Sequence, residues 1–342
     1  MSIDIRIADV QVSIKGRDFF NALNPIEREL LNPFIVKRPA NIGNYVIVDA
    51  KCVDDFNAAR KYNADSESIK FIKDQFFYKD DERFESFFKN FVNESLMPYL
   101  WENALNQKNP EVLLKDGGCA RNRIIIKKDS FVIYNESGRC YELIHRKTNH
   151  LSEGHFLWPH SLVSLRLLFR MILNSKKDGI ILHASSIEQD GNGYVFVGPS
   201  NSGKSTVAKI LEPDRILSDD MTVIRRAEKV YKIYPNPWWN GRGKFSIKYP
   251  ESPAKLKAIF FIEKSEKTSM KKLNYKEALG TLIYGDGSFQ QTGFFDNKEG
   301  VKAFYLFAKE LISNIPSFSL SIKKDQEFKE EFYRLTTHYL KR

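Results

Sequence analysis

The 342-residue chain has little cysteine: Cys52, Cys119 and Cys140 are its three. Thiols so few and so scattered build no disulfide framework, and without a CxxC pair they make no structural zinc site. Long hydrophobic runs are missing too. Stretches such as 167–173 are short and broken by arginine, far below the ~18 unbroken apolar residues of a membrane span. The start, Met1-Ser2-Ile3-Asp4-Ile5-Arg6, lacks the charged-then-apolar form of a signal peptide. These absences lead us to expect a reduced, cytoplasmic protein with no membrane partner. Internal repeats and low-complexity tracts are also lacking.

Charge is unbalanced, with 53 Lys and Arg against 43 Asp and Glu, a net +10. The lysines come as separate pairs, such as Lys127-Lys128 and Lys271-Lys272, set between acids. No dense basic stripe forms, which argues against a nucleic-acid partner. What the chain does have is core material: 42% apolar residues, 26 Phe and 15 Tyr. At roughly 100–200 residues per domain, the length suggests about two domains.

Residues 1–158 read as a mixed α/β unit. Ile3, Ile5 and Ile7 alternate with polar residues, which predicts a strand with one buried face over 2–14. Strands are also expected over 44–53, 124–126, 131–134 and 140–144, the last two forming a hairpin. The aromatic stretch 71–107 is helix-like, with a break at Pro98. His145, His150, His155 and His160 recur every five residues. That spacing scatters them over opposite faces of a helix or a strand, so they read as surface histidines.

The second half opens on an apolar helix over 161–174, carrying Arg166 and Arg170. Ile180–Ile187 and Tyr194–Val197 then flank the turn Asp190-Gly191-Asn192-Gly193, which predicts an antiparallel hairpin. Directly after it stands Gly198-Pro199-Ser200-Asn201-Ser202-Gly203-Lys204-Ser205-Thr206, a full match to G-x-x-x-x-G-K-[ST]. The chemistry needs these types. The glycines let backbone N–H groups turn around a β-phosphate. Lys204 reaches the β- and γ-phosphates, Ser205 ligates Mg²⁺, and the helix that follows favours phosphate charge. Gly198, Ser200, Asn201, Ser202, Gly203, Lys204, Ser205 and Thr206 are therefore the expected nucleotide-binding set.

Fourteen residues beyond Ser205, Asp219 and Asp220 interrupt an apolar run. On a strand, neighbours point to opposite faces, so one acid can serve the metal and the other the incoming hydroxyl. The alternative is a surface turn with two solvated acids. A G-protein N-K-x-D signature is absent, since Asn297-Lys298 is followed by Glu299 and Gly300. No L-S-G-G-Q or H-R-D sequence occurs either.

The order of these parts resembles the bacterial HPr kinase/phosphorylase family and its HPr-kinase-like relatives. The matching text is Leu182-His183-Ala184-Ser185, Gly198 to Thr206, Leu217-Ser218-Asp219-Asp220 and Tyr234-Pro235-Asn236-Pro237. The resemblance spans about 160–325. It implies a phosphate-loop kinase core of the phosphoenolpyruvate-carboxykinase type over 159–342, an α/β fold with a mixed sheet. The separate α+β domain of 1–158 is then a candidate for acceptor recognition. It further implies ATP and Mg²⁺, with Lys204 on the phosphates, Ser205 and Asp219 at the metal, Asp220 as base for a serine hydroxyl and His183 near the transferred group. Read alone, His183 is a core-strand histidine.

Two positions depart from the family. Asn240, in Asn240-Gly241-Arg242-Gly243, stands where the family has a metal-binding glutamate. The later catalytic arginine has no clear counterpart. Arg242 is the candidate for stabilising phosphate charge. Trp238 and Trp239 read as a half-buried pair or as a cleft lining. The expected reaction is transfer of the ATP γ-phosphoryl to a peptide or protein serine. A nucleotide-binding regulatory protein and a small-molecule hydroxyl kinase stay open, and the resemblance admits a homo-oligomer.

Overall fold

A computed structural model describes residues 2–15, 25–36, 46–53, 111–115, 121–127, 130–135, 140–146, 160–199, 201–211, 215–239, 252–285, 298–323 and 327–340. The single strand expected over 2–14 is two, β1 (Ser2–Ile7) and β2 (Val10–Lys15). Ala8 and Asp9 sit between them at φ +52° and +56°. Two consecutive left-handed residues make a turn whose twist matches an antiparallel hairpin. The alternation survives across it, so Ile5, Ile7, Val10, Val12 and Ile14 are all buried.

The chain divides into two compact units, Met1–Ile172 with Asp296–Lys298, and Leu173–Phe295 with Glu299–Arg342. In the first, helix α1 (Pro25–Leu31) precedes β3 (Ile35–Val36) and β4 (Val46–Val53). Then come β5 (Glu111–Lys115), β6 (Arg121–Lys127), β7 (Ser130–Asn135) and β8 (Cys140–Arg146). Their sheet runs β3-β1-β2-β4-β8-β7-β6-β5. β4 is parallel to both β2 and β8, and β5 to β8 form an antiparallel meander. The helix-like stretch 71–107, with Pro98, lies outside the described residues.

The division falls within α2 (His160–Lys176). In the second unit, β9 (Gly179–Gln189) and β10 (Asn192–Val197) form the expected hairpin, turning through Asp190 and Gly191 at φ +51° and +78°. After α3 (Lys204–Ile210) come β11 (Arg215–Ser218), β12 (Met221–Ala227) and β13 (Val230–Tyr234). β14 (Ala254–Lys264), β15 (Ser269–Lys272), α4 (Tyr275–Gly280), α5 (Lys298–Asn314), β16 (Ser317–Ile322) and α6 (Phe328–Leu340) complete it. The sheet runs β10-β9-β12-β13-β14-β16-β15, with β11 beside β9. β10 also pairs with β14 in parallel, so β10, β9, β12, β13 and β14 close a circuit. β14 and β16 are parallel; the remaining pairs are antiparallel. The architecture is mixed α+β with a large mixed sheet. No helix among the described residues is long and apolar enough to cross a membrane.

Alternation along these strands builds two apolar layers. Leu182, Ala184, Val195, Val197, Ile259 and Phe261 join Phe304, Phe307, Ala308 and Leu311 of α5 in one cluster. Their strand neighbours Phe196, Phe260 and Phe318 stack in a row, with ring centroids 5.5 Å apart at each step. Phe332 of α6 meets Phe260 edge-on at 5.3 Å and Phe196 at 5.6 Å.

Phe260 is fully buried at the centre of that row. Phe260→Ala should lower stability by about 3–5 kcal/mol, read by urea unfolding. A loss under 1 kcal/mol would mean that the row is not a core element. A second expectation concerns Tyr231, packed edge-on against Phe307 at 5.8 Å. Burial first, then the Glu310 carboxylate, pushes its phenol up to about 12 from 10.0. A pKa raised on folding favours the protonated native state. This stability is therefore present in full below pH 10 and is lost as pH rises towards 12. Denaturant titrations of wild type and Tyr231→Phe between pH 9 and 12 should show a steeper alkaline fall for wild type.

Candidate functional site

The site grows from the end of β10. Val197 pairs with Ala184 of β9 on one side and Phe261 of β14 on the other. Gly198 follows, pressed against β14. A Cβ there would lie 2.6 Å from Ser202 Oγ, 2.9 Å from Ile262 Cγ1 and 3.1 Å from the Ile262 carbonyl oxygen. Only glycine fits that approach. Asn201 takes φ +66° and Gly203 φ +107°, and α3 opens at Lys204.

Within the loop, Lys204 is buried, and its Nζ donates to the carbonyls of Gly198 at 2.7 Å and Pro199 at 2.9 Å. The Ser185 hydroxyl of β9 donates to the Lys204 carbonyl at 2.9 Å, anchoring the helix start to the sheet. Ser205 Oγ donates to the Asp219 backbone carbonyl at 3.1 Å. Thr206 is half-buried in the first turn of α3. Ser200, Asn240 and Arg242 lie outside the described residues.

Asp219 and Asp220 do not lie within a strand, as their apolar flanks suggested. They form a bend between β11 and β12, both of which pair with β9. They are not solvated either: Asp219 is 2% exposed and Asp220 5%. Ala184 N donates to the Asp220 carbonyl at 2.9 Å, and Thr222 Oγ1 returns a bond to the Ala184 carbonyl at 2.9 Å. β12 pairs Met221 with His183. That register sets His183 Nε2 3.2 Å from Asp220 Oδ1.

The structure thus brings Lys204, Ser205, Asp219, Asp220 and His183 into one connected network. Two buried polar atoms in it, His183 Nδ1 and Asp220 Oδ2, and Ser202 Oγ in the adjoining loop have no hydrogen-bond partner. An unsatisfied buried polar group is costly unless a ligand or water completes it. The sequence offers little sign of Asn236, which is fully buried with its side chain bonded to the Met221 carbonyl at 2.7 Å. An asparagine between two prolines reads as a turn. Trp238 and Trp239 are 1% and 4% exposed, so they are core rather than half-buried. His145 lies in β8 and His160 opens α2, while His150 and His155 fall outside the described residues. Among the described residues, no three His, Cys, Asp or Glu side chains gather as a metal cluster.

A family model for the SynChlorMet cassette protein ScmC matches residues 158–337, more than half of the chain. The chain belongs to the ScmC family. The match covers the hairpin, the loop, the acidic bend and most of α6. A search of curated proteins returns no match. Among solved structures, the Hpr(Ser) kinase/phosphatase from Coxiella burnetii is similar over 46% of this chain and 98% of that one, at 13% identity and a TM-score of 0.26. At that score the likeness fixes neither fold nor activity.

The Gly198 approach gives a direct test of the loop. Gly198→Ala forces the Ser202 and Ile262 side chains to shift, an overpacking cost of about 1–3 kcal/mol. Urea unfolding reads the loss. An unchanged midpoint would show that the loop does not press against Ile262.

Proposed function

We propose that this protein is an ATP-dependent phosphotransferase that moves the γ-phosphoryl group to a serine hydroxyl of a peptide or protein. The observation that carries the reading is the buried His183–Asp220 pair at 3.2 Å, each partner keeping one polar atom unsatisfied, beside a complete phosphate loop. A loop that only bound nucleotide would need neither. The residues suit a triphosphate. The loop from Gly198 to Gly203 has the glycines that let backbone approach phosphate, and the unpartnered Ser202 Oγ adds a donor. Ser205 and Asp219 offer a hydroxyl and a carboxylate, hard oxygen ligands that suit Mg²⁺. Bound there, Mg²⁺ supplies neutralisation of phosphate charge.

In the transfer, the acceptor hydroxyl oxygen forms a bond to the γ-phosphorus as the bond to the bridging oxygen of ADP breaks. The hydroxyl proton passes to Asp220. His183, hydrogen-bonded to the other carboxylate oxygen, fixes the orientation of Asp220. Lys204 meets the charge that accumulates towards the β-phosphate, and Arg242 is a further candidate for that task.

A second reading is a nucleotide-binding regulatory protein, favoured by Asn240 at a position where the resembled family has a metal ligand. A small-molecule hydroxyl is the other acceptor class. One experiment separates them. The full chain is incubated with γ-labelled ATP, Mg²⁺ and serine peptides, polyol metabolites or native extract. Wild type should label a peptide or protein. Asp220→Asn should keep ATP binding but lose about 10²–10⁴-fold in rate. Lys204→Ala should weaken ATP binding itself. Label on a small molecule alone moves the acceptor class, and ATP binding with no label on any acceptor overturns transfer.

A further inference from the structure

Asn236 carries more bonds than a turn residue needs. It is fully buried between Pro235 and Pro237. Its Nδ2 donates to the Met221 carbonyl at 2.7 Å, and its Oδ1 accepts from Trp238 N at 3.0 Å. Its own carbonyl accepts from Trp239 Nε1 at 2.8 Å. The Met221 carbonyl also accepts from Ser218 Oγ, on the far side of the acidic bend. Met221 is both the residue after Asp220 and the strand partner of His183.

We infer that Asn236 is a positioning residue for Asp220, which rests on the phosphotransfer reading for its role in catalysis. The argument is geometric. The bend between β11 and β12 is only two residues long, flanked by Ser218 and Met221 in register with Ser186 and His183 of β9. Ala184 N fixes the Asp220 carbonyl from the β9 side, and Asn236 Nδ2 fixes the Met221 carbonyl one residue on. Between these two bonds the Asp220 carboxylate has its direction set towards His183. The tryptophans hold Asn236 in turn, since the amide oxygen and the main-chain carbonyl are both occupied by them. Misplacing a reacting group by about 1 Å costs on the order of 10²-fold in rate.

Asn236→Asp tests this with little change of shape. It keeps the oxygen that accepts from Trp238 N and replaces the donor to Met221 with an acceptor. Asn236→Gln, which retains the amide one methylene further out, is read in parallel should the aspartate fail to fold. The readout is the NMR signals of the His183 ring nitrogens in full-length protein. Wild type, Asp220→Asn and the structurally destabilised Phe260→Ala are recorded alongside. The inference expects the His183 signals of the Asn236 variant to move towards those of Asp220→Asn, while Phe260→Ala keeps the wild-type positions. In turnover, kcat should fall about 10²-fold with KM for ATP unchanged. Wild-type His183 signals in a folded Asn236 variant, or the same movement in Phe260→Ala, overturn it. Absence of turnover in wild type would remove the phosphotransfer reading instead, and the NMR comparison would still decide the positioning of Asp220.

Discussion

Ala184 sits at the one point on which the site depends. On one edge of β9 it pairs with Val197, the last strand residue before the glycine-containing loop 198–203. On the other edge its N–H holds the carbonyl of Asp220. Loop and acidic bend therefore leave the sheet from opposite sides of a single residue. Fourteen residues separate Ser205 from Asp219 in sequence, yet the Ser205 hydroxyl reaches the Asp219 carbonyl at 3.1 Å. Two strand ladders on a shared strand bring these segments together, and the Ser185 and Ser205 hydroxyls fasten them.

The pleat of β9 then sorts structure from chemistry. Leu182 and Ala184 turn into the apolar layer with α5. His183 and Ser185, one residue out of phase, belong to the opposite face. There Ser185 ties down the start of α3 and His183 meets Asp220. A shift of one residue in the pairing of β9 would exchange these sets, burying a histidine among aliphatics and exposing leucine to the loop. Register is thus guarded by the core, and the site inherits its geometry from hydrophobic burial.

This explains what could be read from the sequence. The G-x-x-x-x-G-K-[ST] motif is local, and its glycines and lysine stand out within eight residues. The hairpin that delivers it has a glycine turn between apolar runs. The place of Asp219 and Asp220 was harder. Apolar residues on both sides imitate one continuous strand, and only the three-dimensional pairing reveals two strands on β9, with a register shift between Ile216 and Ser218. The hairpin at Ala8 and Asp9 was hidden because neither residue is the glycine or asparagine that usually marks two left-handed positions. Asn236 was hidden for a different reason. Its task is a bond to a main-chain carbonyl fifteen residues away, and no local pattern encodes such a partner.

The burial of Lys204, Asp219 and Asp220 is itself informative. Each is under 7% exposed, and charged groups are seldom so buried without compensation. A sheet selected for stability alone would hold apolar side chains here, often at no loss. Compensation includes the carbonyls of Gly198 and Pro199 for the lysine, the β9 main chain for the bend and the His183 ring for the Asp220 carboxylate. It is incomplete, since Ser202 Oγ, His183 Nδ1 and Asp220 Oδ2 find no partner. Unsatisfied groups gathered at one end of a well-packed sheet mark where the fold departs from its own optimum, and such departures collect at functional sites. The aromatic row of Phe196, Phe260 and Phe318, with Phe332 across it, supplies the rigidity against which that local cost is held.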